Sequence, residues 1–274
     1  MKRRTATSGV LATILLALLV QPLQPVSVAP MGVYIDSRTR SGVMTLFNPG
    51  DRTEEIRVDF AFGYPQSDST GNIVVPISDT APAGEPSALP WLSAFPQRLR
   101  LAPGQRQVVR IVARPPGGLE AGEYWARALV HSEGGQEPVE SEQDGVSLRI
   151  DVKTVVVVPV NYRNGRVETG VAFDEATATM VGDTVVNEIT VHRTGNAAFL
   201  GRLLIEVLDD SGRVIESTED LIPVYRTMYR RIPTHIGTER TPVRVRYTID
   251  TNRDDIPPGG LIPAEPVVRE VAIG

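Results

Sequence analysis

The side chains able to do chemistry are few and scattered. The chain has three histidines, His131, His192 and His235, and imidazole is the usual neutral-pH base and metal ligand. They fall in separate strands or loops, without the spacing that would converge them on one ion. There is no cysteine, which removes thiol nucleophiles, cysteine-held metals and disulfides. Neither a Gly-x-Ser-x-Gly elbow nor a phosphate-cradling Gly-Lys-Ser/Thr loop occurs. Paired acids stand at Asp209-Asp210 and Asp254-Asp255. The first pair runs into Ser211-Gly212 and reads as a hairpin turn, because Asp and Gly supply the backbone angles such turns need. The second precedes Ile256-Pro257-Pro258-Gly259-Gly260, a loop with too few oxygen donors for calcium. No catalytic residue, metal site or cofactor is assigned, and the chain reads as a non-enzyme.

Charge narrows the partners. With 28 Lys and Arg against 33 Asp and Glu the net charge is -5, so no field attracts nucleic acid or anionic lipid. The start is different in kind. Lys2, Arg3 and Arg4 precede an apolar run over residues 10–20 (VLATILLALLV), and Pro22 and Pro25 follow. A basic start before a short apolar run is the layout of a secretory signal, assigned to residues 1–25; the alternative is an uncleaved anchor. Cleavage after Ala29 would put Pro30 beside the cut, where it hinders, and a cut a few residues earlier fits equally. No later apolar run is long enough to span a bilayer, so no stable membrane insertion is expected once the signal is gone.

The remaining chain must position whatever function it has, and it reads as strands. Short β-branched and aliphatic runs are separated by Gly- and Pro-rich turns. They fall at residues 26–36, 42–48, 55–64, 72–77, 98–101, 106–113, 123–132 and 146–158. A second set falls at residues 166–173, 184–193, 202–209, 213–217, 227–232, 243–250 and 267–273. Many short strands with such punctuation imply sandwiches. The fold class is therefore all-β, two immunoglobulin-like β-sandwich domains in tandem. We place the first at residues 26–158, a linker at 159–165 (PVNYRNG), and the second at 166–274. The acidic stretch 133–144 (EGGQEPVESEQD) reads as a mobile, solvated hairpin tip.

One strand stands out. Val146, Leu148, Ile150 and Val152 alternate with Ser147, Arg149, Asp151 and Lys153, which puts the apolar set on one face and the polar set on the other. Four valines, 155–158, continue it; branching at Cβ favours the pleated conformation. A run apolar on both faces suits a strand buried between layers or passing between domains.

Residues 91–111 (WLSAFPQRLRLAPGQRQVVRI) carry a pattern: Pro96, then Leu99 and Leu101 alternating, Pro103-Gly104, then a strand through Val109, Arg110 and Ile111. This resembles the middle of the first domain of the PapD-like periplasmic pilus chaperones. Residues 26–36 resemble that family's first strand, residues 123–130 (EYWARALV) the strand before its subunit-binding one, and residues 146–152 fall where the binding strand lies. The resemblance covers most of the first half; the second half is similar only as an Ig-like domain of the right size.

The resemblance implies a periplasmic chaperone with its two domains set like a boomerang. The seventh strand of the first domain would be lent to a pilus or fimbrial subunit lacking its own last strand, with an outer-membrane usher as a further partner. Backbone hydrogen bonds would supply affinity and alternate side chains would fill pockets: Leu148, Ile150 and Val152. The alternative is that these three fill the domain's own core. The family also anchors the subunit's terminal carboxylate with two cations; here Gly32 and Val157 align with them. Lys153 and Arg163 stand nearby, either as a displaced anchor or as solvated charges. The missing pair keeps a second function open, that of a structural or adhesive Ig-like component of a surface appendage.

Overall fold

A computed structural model describes residues 25–134, 139–143, 146–150, 153–237, 241–257 and 259–274. Residues 1–24, which make up nearly all of the expected signal, and Val152 lie outside the described residues. Alternation of side chains sets the elements. In order they are β1 (Ser27–Ala29), β2 (Val33–Asp36), β3 (Ser41–Phe47), β4 (Glu54–Ala61), β5 (Gln66–Ser67), β6 (Ile73–Val74) and β7 (Leu92–Phe95). Next come β8 (Arg98–Leu101), β9 (Arg106–Ala113), β10 (Gly122–Glu133), β11 (Val139–Gln143), β12 (Val146–Ile150) and β13 (Thr154–Asn164). The second half adds β14 (Thr169–Val181), β15 (Thr184–Gly195), β16 (Phe199–Leu208), β17 (Val214–Val224), β18 (Thr227–His235), β19 (Arg244–Asp250) and β20 (Val267–Ala272).

The first unit packs a four-stranded sheet, order β1-β3-β9-β7, on a five-stranded one, order β2-β13-β10-β4-β8. In β4, Ile56 and Val58 point into the core while Glu55 and Arg57 point out, the period of two that a half-buried strand needs. The core between the sheets runs from Val26 to Tyr162, with Met44, Leu46, Leu101, Val109 and Ile111 fully buried. Within the 91–111 pattern, Leu101, Val109 and Ile111 are core residues. Gly104 makes the turn between β8 and β9 at φ +69°, its N–H donating to Asn48 O at 2.9 Å; that backbone region is costly for any other residue.

The second unit packs β14-β15-β18 on β17-β16-β19-β20 around Phe199, Leu203, Ile205, Val245 and Ile249. Asn187 is buried there and satisfied, donating to Ile232 O at 2.9 Å and accepting from the Tyr247 hydroxyl at 3.0 Å. Two tandem all-β sandwiches of immunoglobulin-like kind are therefore what the chain folds into.

Several elements differ from the sequence reading. The strand expected at 26–36 divides: β1 pairs with β3 in one sheet and β2 runs parallel to β13 in the other. The strand expected at 146–158 is two strands in two sheets, β12 with β11 and β13 with β10. The segment expected to be a linker, 159–165, is mostly strand, because β13 continues to Asn164 and stays paired with β10 down to Gly122. The strand expected at 72–77 shrinks to Ile73–Val74, hydrogen-bonded to β5 in a small hairpin. Part of the stretch read as a mobile tip is β11.

Candidate partner-binding edge

β13 is built with two different halves. On one side it pairs with β10 along its whole length, from Thr154 opposite Ser132 to Asn164 opposite Gly122. On the other side β2 pairs only with residues 160–163. The first strand has by then crossed over: its earlier part, β1, belongs to the opposite sheet. Among the described residues, no strand therefore covers the outer edge of residues 154–158. Their unpaired N–H and C=O groups are a template for another strand.

The valines there alternate. Val158 and Val160 are fully buried, while Val155 and Val157 are 48% and 39% exposed. The run is therefore not covered on both faces, contrary to the sequence reading. Its inward face feeds the core and its outward face meets solvent.

The sequence-derived site residues separate into groups. Leu148 and Ile150 lie in β12, opposite Ser141 and Val139 of β11; Val152 is outside the described residues. Lys153 is exposed and pairs with Glu133 at 3.1 Å. Of the two positions without a cation, Gly32 lies beside β13: a Cβ there would meet Pro159 Cγ at 3.6 Å.

Arg163 is not a solvated charge. Its side chain is only 12% exposed, and its Nε donates to Glu123 Oε2 at 2.8 Å. Its two terminal nitrogens donate to the carbonyls of Gly259 and Gly260 in the second unit, and the guanidinium lies 4.9 Å from the centre of the Tyr34 ring. Burial raises the Tyr34 hydroxyl well above the ordinary tyrosine range, with nearby Tyr225 and Glu123 adding to it and Arg163 opposing.

Glu123 is the centre of this junction, and it is buried. It accepts from Trp125 Nε1 at 3.1 Å, Asn161 Nδ2 at 3.0 Å and the Ala198 N–H at 3.2 Å, besides Arg163. A buried carboxylate is stable only when its lone pairs are filled in this way. Trp125 joins Phe62, Ala198 and Tyr225 in a third apolar cluster between the sandwiches, with Tyr64 stacked 5.6 Å from Tyr225. Arg193 and Arg226 stand 5.9 and 5.8 Å from the centre of the Trp125 ring. Arg193 is pushed below its ordinary range by burial and by the neighbouring Arg226 charge.

The histidines lie apart, each beside a different acid: His131 near Asp59 at 3.4 Å, His192 at 2.6 Å from Asp174, His235 at 3.5 Å from Asp183. Asp255 binds Arg253 Nε at 2.6 Å. Among the described residues, no three His, Asp or Glu are arranged to hold a metal.

No protein-family model matches the chain, and no curated protein does. Solved structures are similar to it. The complex of Salmonella enterica SafA pilin with the SafB chaperone matches at 12% identity and a TM-score of 0.47, covering 91% of this chain and 97% of that one. The Escherichia coli chaperone DraB matches at 11% identity and 0.44, covering 89% and 95%. The Pseudomonas aeruginosa CupB2 chaperone matches at 12% and 0.42, covering 90% and 100%. The chain is similar to chaperones of known structure. Identities this low leave each side-chain role to be derived from this chain's own contacts.

Sequence reasoning passed over Glu123, Asn161 and the aromatic cluster. One signal was present: a lone acid, Glu123, opens a strand whose next residues are Tyr, Trp and Ala. Its partners come from 38 and 75 residues away, and no local pattern joins them.

Proposed function

We propose that this protein is a periplasmic chaperone for pilus or fimbrial subunits, lending the edge of residues 146–158 to a partner sandwich that lacks a strand. The observation that carries the reading is the open edge of residues 154–158, left bare where the first strand changes sheets. A partner strand laid there gains backbone hydrogen bonds without displacing any described strand, the geometry of strand addition. The pattern at residues 91–111 supports the same reading.

Leu148, Ile150 and Val152 are assigned as the pocket-filling side chains. They share sequence parity with Val156 and Val158, and the pairing of β13 with β10 begins only at Thr154, opposite Ser132. In sequence the apolar alternation continues beyond that pairing, which supports the assignment. An appendage module, the second reading, keeps its edges covered, and the bare edge stands against it. Export of the chain, and delivery of the loaded complex to an outer-membrane usher, belong to this proposal.

The test is co-expression with a pilus subunit lacking its last strand, followed by co-purification and thermal melting. Ile150→Asp would bury an unpaired carboxylate in the partner's pocket, at a cost on the order of several kcal/mol, which lowers affinity by orders of magnitude. Capture should collapse while the melting temperature of the free protein holds. Arg149→Ala, on the other face, should capture subunit as the parent does. A large drop in melting temperature for Ile150→Asp would make Ile150 an ordinary core residue. Normal capture by both variants would end the strand-lending idea.

A further inference from the structure

Between β4 and β7 the first unit sends out an excursion whose outer part packs on the second unit. Phe62 and Ser78 close its base with reciprocal backbone hydrogen bonds of 2.8 and 2.9 Å. Within it, β5 and β6 form a small hairpin, and that hairpin lies against β18 of the second unit. Ser67 Oγ accepts the Tyr229 N–H at 2.9 Å and donates to Tyr229 O at 2.5 Å. Arg230, whose side chain is 11% exposed, donates to the carbonyl of Gly71 and to Asp220. Ile73 packs against the core of the second unit, not that of the first.

Two features show that the hairpin is shaped for this seat. Its tip is preformed by its own residues: Asp68 Oδ1 accepts from Thr70 N at 2.8 Å, Thr70 Oγ1 at 2.7 Å and Asn72 N at 2.9 Å. The docking position is a glycine, Gly71, at φ +83°, where a Cβ would lie 2.4 Å from Arg231 N and 2.8 Å from Arg231 Cβ. No side chain fits between the tip and the backbone of β18.

We infer that the β5–β6 hairpin is a clasp: it couples the two sandwiches so that they unfold together, and it fixes their relative placement. Tandem domains joined by a modest interface move and melt separately by default. Here a side chain from each unit, Ser67 and Arg230, bonds backbone groups of the other, and Ile73 packs on the second unit's core. This inference is independent of the strand-lending proposal.

Gly84 supplies the control. It too has a left-handed backbone, φ +81°, but nothing lies within 4 Å of a Cβ placed there. Gly84→Ala and Gly71→Ala therefore carry the same local strain, and only the second collides with the other unit. By calorimetry, the parent should melt in one transition, and Gly84→Ala in one transition lowered by no more than about 4 °C. Gly71→Ala should melt in two separated transitions, with a larger radius of gyration by small-angle scattering. Ser67→Ala adds no bulk and deletes both bonds to Tyr229, so it should split or clearly broaden the transition. It decides the matter if Gly71→Ala does not fold. The clasp is overturned if the parent already melts in two steps, if Gly71→Ala matches Gly84→Ala in both measurements, or if Ser67→Ala melts as the parent does.

Discussion

Asp209 and Asp68 solve the same problem at two hairpin tips with the same letters, Asp-x-Ser/Thr-Gly-x. Asp209 Oδ1 accepts from Ser211 N at 3.0 Å, Ser211 Oγ at 2.6 Å and Arg213 N at 2.9 Å, and Gly212 turns at φ +81°. The Ser211 hydroxyl, then the Arg213 N–H, hold the Asp209 carboxyl below its ordinary value. A carboxyl depressed in the folded state stabilises the fold above its unfolded pKa, and that contribution is lost as pH falls through the folded value. Asp209→Ala should therefore melt below the parent at pH 7, and the gap should close as pH falls below about 4. A gap that stays constant in thermal melts across that range would mean the carboxylate charge is not what holds the turn. The Asp209 turn was legible in the sequence because its chemistry is local. The Glu123 junction was not, since Asn161 and Arg163 reach it only when β13 pairs with β10, and Ala198 only from the second sandwich.

β13 shows what alternation reveals about an element and what it hides. From residue 146 to 158 the sequence keeps one period, so it reads as one strand. Asp151-Val152-Lys153 keep the rhythm although β12 and β13 belong to different sheets. The valine run gave strand correctly and gave burial wrongly, because burial depends on what lies across from each face. Val158 is fully buried opposite Ala128, so Val158→Ala should cost about 2 kcal/mol in urea unfolding, for lost methyls and the cavity they leave. Val157, 39% exposed, should tolerate Val157→Ser within about 0.5 kcal/mol. Equal costs at the two positions would show that the outward face is covered in solution.

At the scale of the molecule, the two units treat their edges differently. In the second unit the last strand also changes sheets: β20 pairs with β19, and Ile273 then bridges to Ala178 of β14. Gly274 exchanges backbone hydrogen bonds of 2.9 and 3.0 Å with Ala178 and Met180. The rest of that β14 edge is guarded by a bulge between Phe173 and Glu175, with exposed acids Asp174 and Glu175. Bulges and charges are the usual defence against strand pairing. Replacing both acids by valine should produce concentration-dependent association visible by light scattering. A variant that stays monomeric would show that the bulge alone suffices. The two-sandwich plan was legible from turn spacing, whereas the sheet changes at either end were not, because a strand that switches partners keeps its own alternation.

The arrival of β2 sets a limit on anything that lies along β13. Val33 takes its place opposite Val160, and Pro159, with no N–H to offer, stands just before it. The bare stretch of residues 154–158 is five residues long, about 16 Å at strand rise. β2 is thus a buffer stop and the stretch before it a measuring rule. An incoming strand is placed by where it halts, and one that overruns must dislodge β2 and the Arg163 contacts behind it.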